Sequence, residues 1–200
     1  MKKIKDHYFR KAKKEGYAAR SFYKIEEIDK KNRILGSGNK VLDLGCSPGS
    51  WLQYASRKVG CSGHVLGVDL QPVKISLPSN VIVIKGDIFD LTYEDLKIKG
   101  GQADVILSDM APKTSGIRRT DAHRSYELNK KVLNLANDAL CPEGLLLLKA
   151  FQGVLLDELY SEFRKMFANV KFCKPASSRT ESVEIFILGT GKKFKKNNFY

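Results

Sequence analysis

Cysteine is scarce in this chain of 200 residues, and its spacing excludes the sites that cysteines usually build. The four cysteines lie far apart and form no Cys-x-x-Cys pair, and the chain has only three histidines. Zinc sites and disulfide frameworks both need closely patterned ligands or cysteines. We therefore expect free thiols, no metal and a reducing, intracellular compartment, and the sequence leaves open which one.

Long apolar runs are also missing, which excludes several classes of membrane protein. No run approaches the roughly 20 apolar residues that a membrane-spanning helix needs. The first sixteen residues lack the apolar stretch of a secretory signal, and Asp6 and Glu15 argue against a mitochondrial presequence. With 42% hydrophobic and 28% charged residues, the composition is that of a soluble globular domain of ordinary size. A monomer without membrane contact is expected.

Basic residues are concentrated at the two ends of the chain, so the net charge of +13 is distributed unevenly. Residues 1–33 hold 12 Lys/Arg against 5 Asp/Glu, residues 191–200 hold 4 against none, and the centre is nearly neutral. We divide the chain into a basic arm (1–16), one domain (17–193) and a basic tail (194–200). Basic ends on a neutral body favour a polyanion partner, although lysine-rich termini also serve solubility alone. Charge does not distinguish RNA, DNA and anionic membrane.

Short apolar runs alternate with helical stretches along the domain. Continuous apolar strands between helices indicate a parallel sheet that is covered on both faces. The last two strands are joined by KPASSRTE, too short for a parallel crossover, so the last strand is predicted to be antiparallel. The predicted strands are 40–44, 64–70, 80–87, 103–110, 144–151, 169–174 and 182–190, and the predicted helices are 18–32, 50–59, 122–140 and 155–167. This pattern predicts an α/β protein with a doubly wound, seven-stranded, mostly parallel sheet.

The stretch VLDLGCSPGSW predicts a strand, a glycine turn and a helix start. In open α/β sheets a ligand sits at the carboxyl ends of the strands, so this turn is a candidate cofactor loop. Gly45 and Gly49 allow the backbone to approach a ligand closely. Ser47 replaces the middle glycine of the GxGxxG pattern, which disfavours a dinucleotide.

Aspartates follow three successive strands of the predicted sheet. Asp43 ends the first strand and is a candidate to neutralise a cationic ligand. Asp69 ends the second strand, where a carboxylate can bind ribose hydroxyls, and Asp87 follows the third, where it can face an adenine amino group. Each aspartate alone is more often a turn or capping residue. Together they predict a carboxylate-lined pocket, which suits the cationic S-adenosyl-L-methionine and suits phosphates badly.

Seven stretches resemble the FtsJ/RrmJ-type ribose 2′-O-methyltransferases, in order, over nearly the whole chain. They are ARSFYKIEEI, DLGCSPGSW, GVDLQP, GDIFD, LSDMAP, LLKAFQG and SSRTESVEIFILGTG. The resemblance implies a Rossmann-like class I methyltransferase fold with S-adenosyl-L-methionine as cofactor. It implies a catalytic tetrad of Lys24, Asp109, Lys149 and Glu184. The implied cofactor contacts are Gly49, Trp51, Asp69, Asp87 and Asp109. Ser50 departs from the glycine that is common in bacterial members.

The predicted sheet independently supports these four positions. Asp109 and Lys149 end neighbouring strands, and Glu184 begins the antiparallel one, so all three meet at one edge. Lys149 follows four leucines, an unusual setting for a solvated lysine. Lys149 either takes the proton of a ribose hydroxyl or stays charged and stabilises the developing alkoxide. The alternative for Lys149 and Glu184 is a structural ion pair, and for Lys24 a solvated helix face.

Several other functions stay open at this stage. A methyltransferase acting on small molecules or proteins commonly has an Asn/Asp-Pro-Pro-aromatic motif where this chain has SDMAPKTSG. A non-catalytic RNA-binding domain is expected to lose a tetrad residue, and none is lost. The resemblance implies RNA as the partner and, among its branches, a uridine of large-subunit ribosomal RNA, with tRNA as the alternative. The expected phosphate contacts are the leader, Lys192–Lys196, Arg118, Arg119 and Arg124.

Overall fold

The computed structural model describes residues 7–112, 115–178 and 182–194, and for Arg118 it describes the backbone only. Strands and helices alternate along the described chain. In order they are α1 (His7–Lys14), α2 (Phe22–Asn32), β1 (Lys40–Leu44), α3 (Ser50–Val59), β2 (His64–Asp69), β3 (Val81–Lys85), a 3₁₀ turn (Glu94–Leu96), β4 (Ala103–Ser108), α4 (Arg118–Ala139), β5 (Leu140–Phe151), α5 (Leu156–Met166), β6 (Phe167–Cys173) and β7 (Glu184–Lys192).

The seven strands form one sheet in the order β3-β2-β1-β4-β5-β7-β6. The pairs β1–β2, β2–β3, β1–β4 and β4–β5 are parallel, and β7 is antiparallel to both β5 and β6. The predicted fold class and the reversed last strand are therefore confirmed. Because β5 and β7 run in opposite directions, Glu184 at the start of β7 lies opposite Phe151 at the end of β5.

Both faces of the sheet are covered, which explains the continuous apolar runs. On β1, Leu42 and Leu44 pack toward α4 and α5, whereas Val41 packs toward α2 and α3. All three side chains are fully buried. Alternate residues of one strand therefore enter two hydrophobic layers, as expected for a parallel sheet between helices.

The first helix was not predicted from the sequence. Residues 7–14 of the predicted basic arm form α1, and the next helix begins at Phe22 rather than at residue 18. Ala12 is buried, and the hydroxyl of Tyr23 donates to Glu15 at 2.8 Å just beyond the helix. A helix of eight residues is marginal alone and depends on such tertiary contacts.

Lys192, one of the expected phosphate contacts, has a different role from the one predicted. Lys192 is 5% exposed, and its ammonium donates to the main-chain oxygens of Asn137 and Leu140 at the end of α4. Cationic side chains stabilise helix carboxyl ends, so Lys192 has a structural role and is not available to RNA. Residues 195–200 lie outside the described part of the chain.

Neither a membrane span nor a metal cluster is found in the described ranges. No helix there is both long and apolar enough to cross a bilayer. No group of three or more His, Cys, Asp or Glu side chains is arranged to hold a metal ion there. The four cysteines are free thiols, with Cys46 buried and Cys61 exposed.

Candidate active site

Two buried ion pairs lie at the carboxyl edge of the sheet, and the first joins Lys149 to Asp109. The register of β4 and β5 places these residues side by side, because Ser108 pairs with Leu148. The Nζ atom of Lys149 lies 3.0 Å from Oδ1 of Asp109 and donates to the main-chain oxygen of Asp109 at 2.6 Å. The two side chains are only 9% and 16% exposed. An ammonium group so far from water needs such partners.

The second ion pair joins Lys24 of α2 to Glu184 of β7. Its Nζ···Oε1 distance is 2.5 Å, and both side chains are 13% exposed. Phe186 connects the two pairs, since it lies opposite Lys149 in the sheet and its ring centroid is 5.9 Å from the Nζ atom of Lys24. The four predicted tetrad positions therefore come together from four separate elements, with two positive and two negative charges.

A cavity of about 640 Å³ opens beside the first ion pair, at the carboxyl ends of β1 to β4. Its size lies within the range of small-molecule sites. Gly45, Asp69, Asp87 and Asp109 of the predicted set line it. Asp109 is thus shared between the cavity and the ion pair with Lys149, so a ligand in the cavity lies next to the tetrad.

The conformation of the candidate cofactor loop after β1 depends on Gly45 and on hydrogen bonds to Asp69. Gly45 has a φ of +79°, and a Cβ atom there would lie 2.5 Å from the Cγ atom of Met110, so a larger residue cannot be accommodated without displacement. The carboxylate of Asp69 accepts hydrogen bonds from the main-chain N–H groups of Ser47 at 2.9 Å and Gln71 at 2.7 Å. Asp69 therefore fixes the loop while it faces the cavity.

Asp43, predicted to neutralise a cationic ligand, is not among the residues that line the cavity. It is 0% exposed, and neither carboxylate oxygen has a hydrogen-bond partner among the described residues. Burial raises the pKa of Asp43 well above its ordinary value, and the neighbouring charges of Asp109 and Asp69 raise it further. Asp43 is therefore a buried carboxyl group for which the folded protein favours the protonated form, and it does not contact the cavity.

Replacing Asp43 by asparagine is expected to stabilise the ligand-free protein at neutral and alkaline pH. Because the folded state holds the proton more tightly than the unfolded chain, stability falls as the pH rises above the ordinary aspartate pKa of about 3.9. Asparagine does not titrate, so between roughly pH 5 and pH 8 the variant should gain on the parent by at most about 1.4 kcal/mol per pH unit. Urea denaturation at both pH values measures this, with the exposed Asp90→Asn as control. An equal difference at both pH values would contradict it.

Gly49 and Trp51, two other predicted cofactor contacts, are not among the residues that line the cavity. Gly49 precedes α3 with a φ of +112°, and a Cβ atom there would lie 2.7 Å from the Cδ1 atom of Ile75. The Trp51 side chain is 2% exposed. Glycine is therefore required at position 49 by the turn and by close packing.

Sequence reasoning missed several lining residues. Phe89 lies within the GDIFD stretch and Met110 within LSDMAP, so both were adjacent to residues that were singled out. His123 and Glu127 reach the cavity from α4, four positions apart on one helix face. Arg124, predicted to contact phosphate, also lines the cavity. The spacing of four residues between His123 and Glu127 was visible in the sequence. Only the packing of α4 against the sheet shows that this face of the helix meets the cavity.

Comparison with known proteins decides the family. Residues 17–192 match the family described as FtsJ-like methyltransferase. This chain belongs to the FtsJ-like methyltransferase family. All four tetrad positions lie within the matched residues. The family resemblance predicted from the sequence motifs is therefore confirmed.

Relatives of this FtsJ-like protein align over almost their full length. One named ribosomal RNA large subunit methyltransferase E, from Bdellovibrio bacteriovorus, is 48% identical over 94% of this chain and 97% of its own. A relative with the same name from Methanothermobacter thermautotrophicus is 45% identical over 96% and 92%. Both relatives are thus similar to this chain over nearly its whole length.

Solved structures show the same architecture. A ribosomal RNA methyltransferase from Plasmodium falciparum superposes with a TM-score of 0.77 at 26% identity, over 88% of this chain and 98% of its own. Fibrillarin from Aeropyrum pernix, solved with S-adenosyl-L-methionine, superposes with a TM-score of 0.59 at 17% identity, over 78% and 68%. The second likeness concerns the fold alone.

Proposed function

We propose that this FtsJ-like protein transfers a methyl group from S-adenosyl-L-methionine to a ribose 2′-hydroxyl of RNA, namely a uridine of large-subunit ribosomal RNA. The observation that carries the proposal is the shared position of Asp109. It lines the cavity and lies 3.0 Å from the ammonium of Lys149. A methyl donor in the cavity and an acceptor hydroxyl at the tetrad would meet at this residue.

The cavity fits the proposed cofactor in charge and in shape. Asp69, Asp87 and Asp109 line it. These carboxylates favour the sulfonium and ammonium groups of S-adenosyl-L-methionine and repel phosphate groups. Apolar side chains complete the wall and suit an adenine ring. They include Val68, Leu70, Ile88 and Phe89.

When bound, the cofactor supplies an electrophilic methyl group on a sulfonium. Lys149 is proposed to contact the 2′-oxygen of the substrate, and Asp109 orients its ammonium. The Lys149 amine would accept the proton of the 2′-hydroxyl or, if Lys149 stays charged, would stabilise the developing alkoxide while the proton leaves to solvent. The Lys24–Glu184 pair is proposed to hold the ribose beside Lys149.

Two observations support RNA as the substrate. The relatives at 45–48% identity bear names that specify ribosomal RNA. The exposed face of α1 carries basic side chains with no acidic residue in the helix. All four tetrad positions are present and paired, which favours an enzyme over a non-catalytic RNA-binding domain.

The proposed activity is tested by incubating the protein with tritium-labelled S-adenosyl-L-methionine and, separately, unmodified large-subunit ribosomal RNA, tRNA and DNA. Alkali cannot cleave next to a methylated 2′-oxygen because the internal nucleophile is blocked. We therefore expect label from ribosomal RNA in alkali-resistant dinucleotides that contain uridine. Label on a base, or label in tRNA alone, would overturn the proposal.

Removing the positive charges on the exposed face of α1 is expected to weaken RNA binding and leave cofactor affinity unchanged. Deletion of residues 1–16 should act in the same way, but it also removes the buried Ala12, so substitution is the cleaner change. Replacing Arg10, Lys13 and Lys14 by glutamine should lower the slope of log K against log salt by about 2, since each lost phosphate contact contributes about 0.7–0.9.

Fluorescence anisotropy with labelled RNA over a series of salt concentrations measures that slope. A triple glutamine variant of Arg164, Lys165 and Lys171, all exposed near α5 and β6, is the charge-matched control. Equal slopes for the two variants would show that α1 is not a preferred RNA surface.

A further inference from the structure

The buried side chain of Trp51 lies between the start of α2 and β7, directly after the candidate cofactor loop. We propose that the indole of Trp51 is a positioning group that holds the Lys24–Glu184 pair, rather than a cofactor contact. This inference rests on the proposed function for its kinetic readout. It concerns the side chain only and leaves the main-chain N–H groups of α3 available to a ligand.

On one side the indole holds the start of α2. The Nε1–H of Trp51 donates to the main-chain oxygen of Ser21 at 2.9 Å. The hydroxyls of Ser21 and Ser50 lie 2.7 Å apart and form a second hydrogen bond between the start of α2 and the start of α3. Ser21 precedes Lys24 by three residues, about one helical turn, so these bonds fix the turn that presents the Lys24 side chain.

On the other side the indole packs against β7. Its ring centroid lies 5.8 Å from that of Phe186, with the planes tilted by 32°. Phe186 follows Glu184 by two residues and lies opposite Lys149 in the sheet. A single side chain therefore contacts both elements that supply the Lys24–Glu184 pair.

The position of Trp51 in the chain connects this support to the cofactor loop. Trp51 is the second residue of α3, directly after the loop that contains Gly45 and Gly49. It is 2% exposed, and it does not line the cavity. Because interiors are closely packed, a shift of the loop is transmitted to α2 and β7 through this ring. A displacement of about 1 Å in such a group is enough to slow a reaction strongly.

The test uses Trp51→Phe, which keeps an aromatic ring against Phe186 and removes the donor to Ser21. We expect kcat to fall about 10- to 100-fold, with the KM for RNA and the Kd for S-adenosyl-L-methionine changed less than about twofold. Tyr54→Phe is the matched control, because it also removes one hydrogen bond between α3 and α2, at 2.6 Å to Asp29. That contact is farther along α2 from Lys24, and kcat should stay within about threefold of the parent.

A merely structural role is distinguished by combining each variant with Lys24→Met. If Trp51 acts through Lys24, Trp51→Phe should have no further effect on kcat in that background. If the reductions in kcat from Trp51→Phe and Lys24→Met multiplied in the double variant, the two residues would act independently and the proposal would be overturned. A loss of cofactor affinity at unchanged kcat in Trp51→Phe would also overturn it. Should Trp51→Phe fail to fold, Ser21→Ala removes the hydrogen bond between the Ser21 and Ser50 hydroxyls, and it is also expected to lower kcat.

A readout without turnover separates this inference from the proposed activity. In the cofactor-free protein, the ¹⁵Nζ NMR signal of Lys24, assigned by its loss in Lys24→Met, should shift in Trp51→Phe and not in Tyr54→Phe. Absence of methyl transfer by the parent would refute the proposed function, and the Lys24 NMR signal would still test the positioning role of Trp51. An unmoved Lys24 signal in Trp51→Phe would refute the positioning role.

Discussion

Replacing Lys149 by alanine is expected to reduce methyl transfer to RNA by about 10³-fold or more, while S-adenosyl-L-methionine still binds. Lys149 is the buried ammonium at the junction of cavity and tetrad, and it does not itself line the cavity. Positioned proton transfer contributes about 10²–10⁴-fold, and charge stabilisation in a water-excluded site about 10²–10³-fold. Either role predicts loss of turnover with cofactor affinity retained.

Single-turnover transfer of labelled methyl groups measures the rate, and calorimetric titration measures cofactor affinity. The control is Lys165→Ala, whose side chain on α5 is 70% exposed and pairs with Glu162. Near-normal turnover by Lys149→Ala would remove Lys149 from the mechanism. Loss of cofactor binding in the same variant would make it a binding residue instead.

Replacing Asp109 by asparagine is expected to impair both binding and turnover, because Asp109 belongs to the cavity and to the ion pair. The change keeps the shape of the side chain and leaves the ammonium of Lys149 without its carboxylate. Removing one partner of a buried pair costs about 3–5 kcal/mol, and part of this should appear as lower stability. We expect at least a tenfold higher Kd for the cofactor and a kcat lowered by about 10²-fold.

The matched control for this change is Asp104→Asn on β4, the strand that Asp109 follows. Asp104 lies at the opposite end of β4, where its carboxylate accepts a hydrogen bond from the main-chain N–H of Lys40 at 2.8 Å. It should lose some stability and keep both constants. If Asp109→Asn lowered kcat without affecting cofactor affinity, the shared position of Asp109 would no longer support the proposed function.

The strands of the sheet were predictable because their physical causes are local. The runs 40–44 and 50–59 match β1 and α3 residue for residue. The short link before β7 required an antiparallel strand, and the sheet has it. Elements that depend on distant contacts were predicted less well. Helix α1 was missed, and β5 begins at Leu140 rather than at residue 144.

The candidate site divides in the same way. Asp109 and Lys149 follow neighbouring strands, so their proximity was implied by the predicted sheet and is seen in the 3.0 Å ion pair. The orientation of Asp43 and Trp51 was not implied. Asp43 lies near the end of β1 and Asp69 ends β2, but the Asp43 side chain has no exposed surface and does not line the cavity.

The amino-acid sequence by itself determined the fold class, the family and the edge of the sheet where the polar residues gather. Apolar periodicity indicates the succession of strands and helices, connection length indicates the direction of the last strand, and the motifs indicate the family. Only the tertiary structure decided which of those residues reach the cavity. It also decided that the Lys192 ammonium donates to the carboxyl end of α4 and that Trp51 lies between α2 and β7. Side-chain direction at a strand end depends on the packing of loops and helices above it, and no local pattern encodes that packing.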